Sequence, residues 1–288
     1  MSQILSLKKR IKNLGNIHKM MQALQIITAS RIRRAKELFV DSTTFMSELE
    51  LFIAKLSLII DSSYIEKKFP DIENPQVLII AITSDQGYCG DFNRQVMERL
   101  QKSLKLFPKS EILMVGEKAG EYARHLKIPV AKSFKGASDK NILELSKKLF
   151  LSSQAFMHKH PSGKVYIVYN KFQSVLVQQP KIREIYPSTL SIGRTRNLPI
   201  ENMIIEPKAE KLFDEAADKF LFHQLHKTLA ESLVGELGSR LIMVKGAAET
   251  SKKLMQEVKL QFHKERQSHI TRELLDIVST FEALKEAN

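Results

Sequence analysis

The residues best placed to do chemistry lie in one glycine-containing stretch, Thr83-Ser84-Asp85-Gln86-Gly87-Tyr88-Cys89-Gly90-Asp91-Phe92-Asn93. It follows an apolar run, Val77–Thr83, and precedes a helical pattern from about Phe92 to Leu106. A turn between a buried strand and a helix is where backbone N–H groups can cradle a phosphate. The spacing does not fit that chemistry: the stretch has neither the G-x-G-x-x-G fingerprint nor a Walker lysine followed by Ser or Thr. It reads instead as a tight turn, with Gly87 and Gly90 supplying backbone freedom and Asp91 capping the next helix. Cys89 could serve as a reactive thiol, but a small buried residue is the simpler reading. The pairs His158/His160 and His223/His226 lack carboxylate or cysteine companions at ligand spacing, so no metal site is expected. No Ser-His-Asp or paired-carboxylate arrangement stands out either. The expectation is a chain with no catalytic residue and no cofactor.

The elements that must position this stretch are marked out by helix breakers. All nine prolines lie between Pro70 and Pro207, and both ends of the chain are free to run as long helices. The division expected is residues 1–69, a helix; 70–207, a mixed domain; and 208–288, a second helix. Along the first, Ile4, Leu7, Ile11, Leu14, His18, Met21, Gln25, Thr28, Ile32, Ala35, Phe39, Ser42, Met46, Leu49, Ile53, Leu56 and Ile60 repeat with heptad spacing. In the last, Leu229, Leu233, Leu237, Leu241, Val244 and Ala248 step by three and four, and Ile270, Leu274, Ile277, Phe281 and Leu284 do so after a phase slip. About 55 helical residues span roughly 80 Å. A compact globule of this chain length is only about 50 Å across. The two terminal helices are therefore expected to pair as a long antiparallel coiled coil that a partner surrounds.

The middle alternates strand and helix. Val77–Thr83, Ile112–Val115 and Val165–Tyr169 read as buried strands, Lys118–Leu126 and Asp139–His158 as helices, and 173–177 and 181–186 as edge strands. That alternation implies an α/β, Rossmann-like, doubly wound and mostly parallel sheet. Charge is unevenly placed within the formal net of +13: residues 1–36 hold nine Lys or Arg and no acid. Such a block calls for an acidic partner, whether nucleic acid, anionic lipid or acidic protein, or else is a solvated helix face. No apolar run reaches the ~18 residues of a membrane span. The single cysteine excludes a disulfide framework and fits a reducing compartment.

The residues also carry a family resemblance. Arg10-Ile-Lys-Asn-Leu-Gly-Asn16 with Lys19, Ala23, Ala29-Ser30 and Arg33-Arg34-Ala35 resembles the opening helix of F-type ATP synthase gamma subunits. Ser84, Asp85, Gly87, Cys89, Gly90 and Asn93 match that family's loop motif, with Gln86 and Tyr88 departing from it. Arg240-Leu-Ile-Met-Val-Lys-Gly-Ala-Ala-Glu249 is similar to its penultimate helix, and Arg266-Gln267 with Ile270-Thr-Arg-Glu-Leu-Leu-Asp276 to its C-terminal signature. Thr280-Phe281 stands where Gly-Ala is usual and Gly246 where Ala is common. These departures leave open a gamma-like shaft of a specialised rotary ATPase.

The resemblance implies a non-catalytic rotor shaft that couples ion-driven rotation of the c-ring to ATP synthesis or hydrolysis at the beta subunits. The implied partners are the alpha and beta subunits of a three-plus-three ring, the epsilon subunit and the c-ring. The implied place is the cytoplasmic face of a bacterial inner membrane, with attachment only through the membrane sector. The positions that match the family's beta-contact or coupling residues are Leu24, Arg31, Arg34, Arg240, Arg266, Gln267, Thr271 and Glu273. A basic coiled-coil protein binding nucleic acid is the competing class, but the chain has no tryptophan and no reader motif.

Overall fold

A computed structural model describes residues 2–68, 75–186 and 205–286. The expected boundary after residue 69 and the side chain of Leu284 fall outside the described residues. The elements are α1 (Ser2–Ser57), α2 (Ser62–Lys68), β1 (Val77–Ile82), α3 (Phe92–Leu106), β2 (Glu111–Val115), α4 (Glu117–His125), β3 (Lys132–Phe134), α5 (Ile142–Lys159), β4 (Lys164–Phe172), β5 (Gln178–Tyr186) and α6 (Ala209–Glu286). The chain forms two compact units, one of residues 1–27 with 242–288 and one of residues 28–241.

The larger unit is built on a five-stranded sheet in the order β3-β2-β1-β4-β5. β1 pairs in parallel with β2 and β4, β2 in parallel with β3, and β5 runs antiparallel to β4. Every residue of β1 is buried, as a central strand covered on both faces must be. On one face Val77, Ile79, Ala81, Ile112 and Met114 meet Val96, Met97 and Leu100 of α3 and Ala119 and Ala123 of α4. On the other, Leu78, Ile80, Ile82 and Ile167 meet Leu145, Leu149 and Phe156 of α5 and Leu221, Leu225 and Leu229 of α6. This is a mixed α/β sheet with helices from both ends of the chain.

Within this unit α1 lies on α6. Ala35 packs with Leu233, Val234 and Leu237, and Met46, Ile53 and Leu56 pack with Phe213, Ala216 and Phe220. In the smaller unit Met21 and Leu24 meet Val244 and Ala248, His18 Nδ1 lies 2.9 Å from the Ala248 carbonyl, and Gly15 faces the Met255 sulfur. Rising numbers on one helix oppose falling numbers on the other, so the two run antiparallel there. Every position of the heptad seam read from the first helix is buried or half-buried.

Three local expectations are corrected. Residues 173–177 are the turn of the β4–β5 hairpin, not a strand: the Gln173 and Ser174 amides both donate to the Val177 carbonyl. Asp91 is the N-cap residue of α3, but its side chain makes no capping bond and pairs with Arg94 at 2.8 Å instead. Positive φ in the 84–93 loop falls on Tyr88 (59°) and Gly90 (58°), not on Gly87. The single helix expected over residues 1–69 ends at Ser57, with a separate α2 at Ser62–Lys68, and neither α2 nor the short β3 follows from the pattern. Asp61, whose side chain accepts from the Ser63 amide at 3.1 Å, is the cap signal that marks α2.

Candidate functional site: the loop after β1 and its clasp to α6

β1 ends against β2 and β4, so the loop that follows it opens at the carboxyl end of the sheet where the strand order reverses. Doubly wound sheets bind their ligands at this place. Beside it, at the start of α4, the chain's own groups fill the amide donors. The Asp85 carboxylate accepts the Glu117 amide at the start of α4 (3.0 Å) and the Gly136 amide (2.6 Å). Thr83 Oγ1 accepts the Ala119 amide at 3.0 Å, and the Ser84 carbonyl accepts that of Lys118 at 3.1 Å. The N-terminus of α4 is therefore capped from within, and the anion that its dipole would favour is Asp85.

The other half of the loop is a buried polar knot. Asn93 Oδ1 accepts the Ser84 amide at 2.9 Å, and Asn93 Nδ2 reaches Ser84 Oγ (2.8 Å) and Cys89 Sγ (3.3 Å). Cys89 is buried, and burial pushes its thiol pKa up while the Ser84 hydrogen bond pulls it back. A thiol held protonated is a poor nucleophile. Gly116, at φ 98°, allows the closest approach beside the knot: a Cβ there would sit 2.6 Å from the Thr83 carbonyl and hydroxyl oxygens.

α6 closes the loop. Arg240 is 5% exposed, and its Nε and Nη2 donate to the carbonyls of Gly87 (3.2 Å) and Gln86 (3.1 Å). Its Nη1 pairs with Glu236 Oε1 at 2.7 Å, one helical turn earlier. Burial raises the Glu236 pKa, and the Arg240 charge pulls it back. The loop thus offers carbonyl oxygens to a cation at its α6 side, the opposite polarity from a phosphate cradle. Among the described residues no group of three or more His, Cys, Asp or Glu could hold a metal ion.

The structure divides the remaining sequence-derived residues between the two units. Arg31 and Arg34 lie on α1 and both reach Asp139, at 3.6 and 3.0 Å. Ser84, Asp85, Gly87, Cys89, Gly90 and Asn93 are gathered with Arg240 in the loop just described. In the smaller unit Leu24 is half-buried beside Met21, Val244 and Ala248. Arg266, Gln267, Thr271 and Glu273 share an exposed stretch of α6. Thr271 Oγ1 donates to the Gln267 carbonyl at 3.0 Å, and Glu273 lies 3.3 Å from His269. Sequence reasoning missed Glu236 and Asp139. The i,i+4 spacing of Glu236 and Arg240 was a signal for the first; nothing local pointed to the second.

Comparison with known proteins follows the whole length of the chain. The protein-family profile for ATP synthase matches residues 3–284. The ATP synthase gamma chain of Chlorobaculum parvum is 27% identical over 99% of this chain and 100% of its own length. That of Clostridium beijerinckii is 27% identical over 96% of each. Among solved structures, a chain of the Euglena gracilis mitochondrial ATP synthase assembly of OSCP, F1 and c-ring superimposes with a TM-score of 0.65 at 16% identity, covering 98% of this chain and 95% of that one. A chain of the Tetrahymena thermophila mitochondrial central stalk and c-ring gives 0.57 at 18%, covering 79% and 99%. The likeness of fold and the family profile coincide from end to end, and the chain belongs to the ATP synthase family.

Proposed function

We propose that this chain is the central rotor shaft of an F-type ATP synthase, a non-catalytic subunit that couples rotation of an ion-driven c-ring to nucleotide chemistry on beta subunits. The observation that carries the proposal is the end-to-end match with gamma chains, across helix, sheet and helix alike. The loop supports it: the amides at the start of α4 are taken by Asp85 and Thr83, and the 84–90 turn gives its carbonyls to Arg240.

The physics of the role is differential contact. A shaft stabilises a different set of open and closed beta states at each orientation, and rotation therefore shifts their nucleotide affinities in turn. In this reading α1 and α6 wind as an antiparallel coiled coil, and the middle folds as a Rossmann-like domain. The division is 1–69, 70–207 and 208–288. Lys8, Lys9, Arg10, Lys12 and Lys19 are all exposed on the acid-free start of α1 and suit acidic levers of a surrounding ring of alpha and beta subunits. Arg266, Gln267, Thr271 and Glu273 form the beta-contact set near the C-terminus. Leu24 and Arg240 act in coupling, and Arg31 and Arg34 face acidic residues of beta. The epsilon subunit and the c-ring engage the sheet-bearing domain. The assembly sits on the cytoplasmic face of a bacterial inner membrane, held by its membrane sector. No described helix is long and apolar enough to cross a membrane.

Co-expression with alpha and beta subunits tests this. A complex of three alpha, three beta and one copy of this chain should assemble and hydrolyse ATP, with the body of this chain turning in one direction. An active ring in which this chain stays still would overturn the proposal. Equilibrium dialysis of the isolated chain should find no tight nucleotide binding.

A further inference from the structure

The stretch of α6 from Gly235 to Arg240 lies against four parts of the sheet-bearing unit at once. A Cβ on Gly235 would stand 3.3 Å from Gln178 and 3.5 Å from the Phe92 ring, and one on Gly238 would stand 3.5 Å from Val175. Ser239 Oγ donates to Gln178 Oε1 at 2.7 Å. A Cβ at Gly235 would press on the Gln178 side chain and one at Gly238 would make ordinary contact, so the helix packs closely on the hairpin turn and the start of α3. Arg240 completes the junction. Its guanidinium spends Nη1 on Glu236 and Nε and Nη2 on the carbonyls of Gly87 and Gln86. The loop carrying those carbonyls is fixed in turn to α4 and to the segment after β3 through Asp85.

We propose that Glu236 is a positioning residue for Arg240, and that the pair clasps the 84–90 loop to α6 so that load between the sheet and α6 passes through Gln86 and Gly87. Glu236 neutralises the buried cation and fixes one edge of the guanidinium fork, leaving the other edge aimed at two carbonyls. A planar fork with several donors can do this; a point charge cannot hold the same three partners in one plane. Leu241 is the last residue of this unit, so the clasp sits at the end of the unit's share of α6. The mechanical half of the proposal rests on the rotor-shaft reading; the clasp itself does not.

Amide hydrogen exchange of the chain assembled with its ring reads the clasp directly. Glu236→Gln should speed exchange at the amides the loop holds in hydrogen bonds, those of Ser84, Phe92, Glu117 and Gly136, by tenfold or more while β1 amides keep their rates. The charge-swapped double variant, Glu236→Arg with Arg240→Glu, restores the i,i+4 pair but sets a carboxylate against two carbonyl oxygens, so the loop should stay fast. An ordinary helix ion pair would be rescued by the swap. Should the swap fail to fold, Arg240→Lys keeps charge and pairing but loses the fork, and loop exchange should rise several-fold. Wild-type loop rates in Glu236→Gln, in the swap or in Arg240→Lys would overturn the clasp. Rotation of a bead fixed to the sheet-bearing unit tests the load. Glu236→Gln should consume at least twice the ATP per turn under viscous drag. Unchanged coupling despite a loosened loop would overturn this load path, whereas a wild-type chain that does not rotate would instead sink the rotor reading.

Discussion

At the scale of single residues, the body of this protein concentrates buried polar groups where its loops meet its helices, and each has a physical cost that can be measured. Gly116 is the sharpest. At φ 98°, with the Thr83 oxygens 2.6 Å from where a Cβ would stand, any side chain meets both strain and overlap. Gly116→Ala should destabilise the chain by about 2–4 kcal/mol, read as a lower urea midpoint with unchanged slope. His226 carries a pH dependence. It sits half-buried with Nδ1 3.1 Å from Ser146 Oγ, and burial lowers its pKa from 6.5. A folded value below the unfolded one means that its contribution is complete above pH ~6.5 and is lost as pH falls through the folded value. His226→Gln should therefore lose less stability than the wild type between pH 7 and 5, in parallel thermal melts. Glu231 has the opposite sign. Burial raises its pKa while the Phe172 amide (3.1 Å) pulls it back. A raised folded value means stability present below pH ~4.5 and lost as pH rises. Glu231→Gln, which keeps an acceptor for that amide, should match or exceed the wild type at pH 8. The turn character of 84–93 was legible in its glycines and in the missing phosphate fingerprints. The grip of Arg240 was not, because it joins residues more than 150 positions apart and no periodicity encodes that register.

At the scale of elements, pattern carried most of the architecture. The heptad seam of α1 was legible from Ile4 to Leu56 because one side of a long helix must be apolar wherever it meets a neighbour. α3 begins and ends where the spacing placed it, at Phe92 and Leu106. The misreadings have local causes. Val175, Leu176 and Val177 have strand-like composition, yet a hairpin must reverse somewhere, and Leu176 is left 78% exposed at the reversal. β3 is three residues long, too short for alternation to register. α6 runs for 78 residues with Gly246 in its interior, where a Cβ would meet nothing within 4 Å. A glycine there lacks even the close neighbours that Gly235 and Gly238 have. Gly246→Ala should raise stability by about 0.5–1 kcal/mol, visible as higher helicity and slower amide exchange over residues 242–250.

At the scale of the whole molecule, the question is which charges act outward. Arg31 and Arg34 share Asp139 within the chain, and Arg240 is buried on Glu236 and the loop. Arg266, by contrast, is exposed on α6 in company with Gln267, Thr271 and Glu273. An exposed helix charge adds at most about 0.5 kcal/mol to its own helix through i,i+4 pairing. Arg266→Glu should thus leave the chain's melting temperature nearly unchanged. In the ring, if its guanidinium meets a carboxylate of a beta subunit, reversal sets like charges together, and contacts of that kind cost several kcal/mol. The two measurements separate cleanly. Arg266→Glu should lower ATP turnover of the assembled complex at least tenfold with an unaltered melt of the free chain. Turnover equal to wild type in a fully assembled ring would remove Arg266 from the proposed contact set.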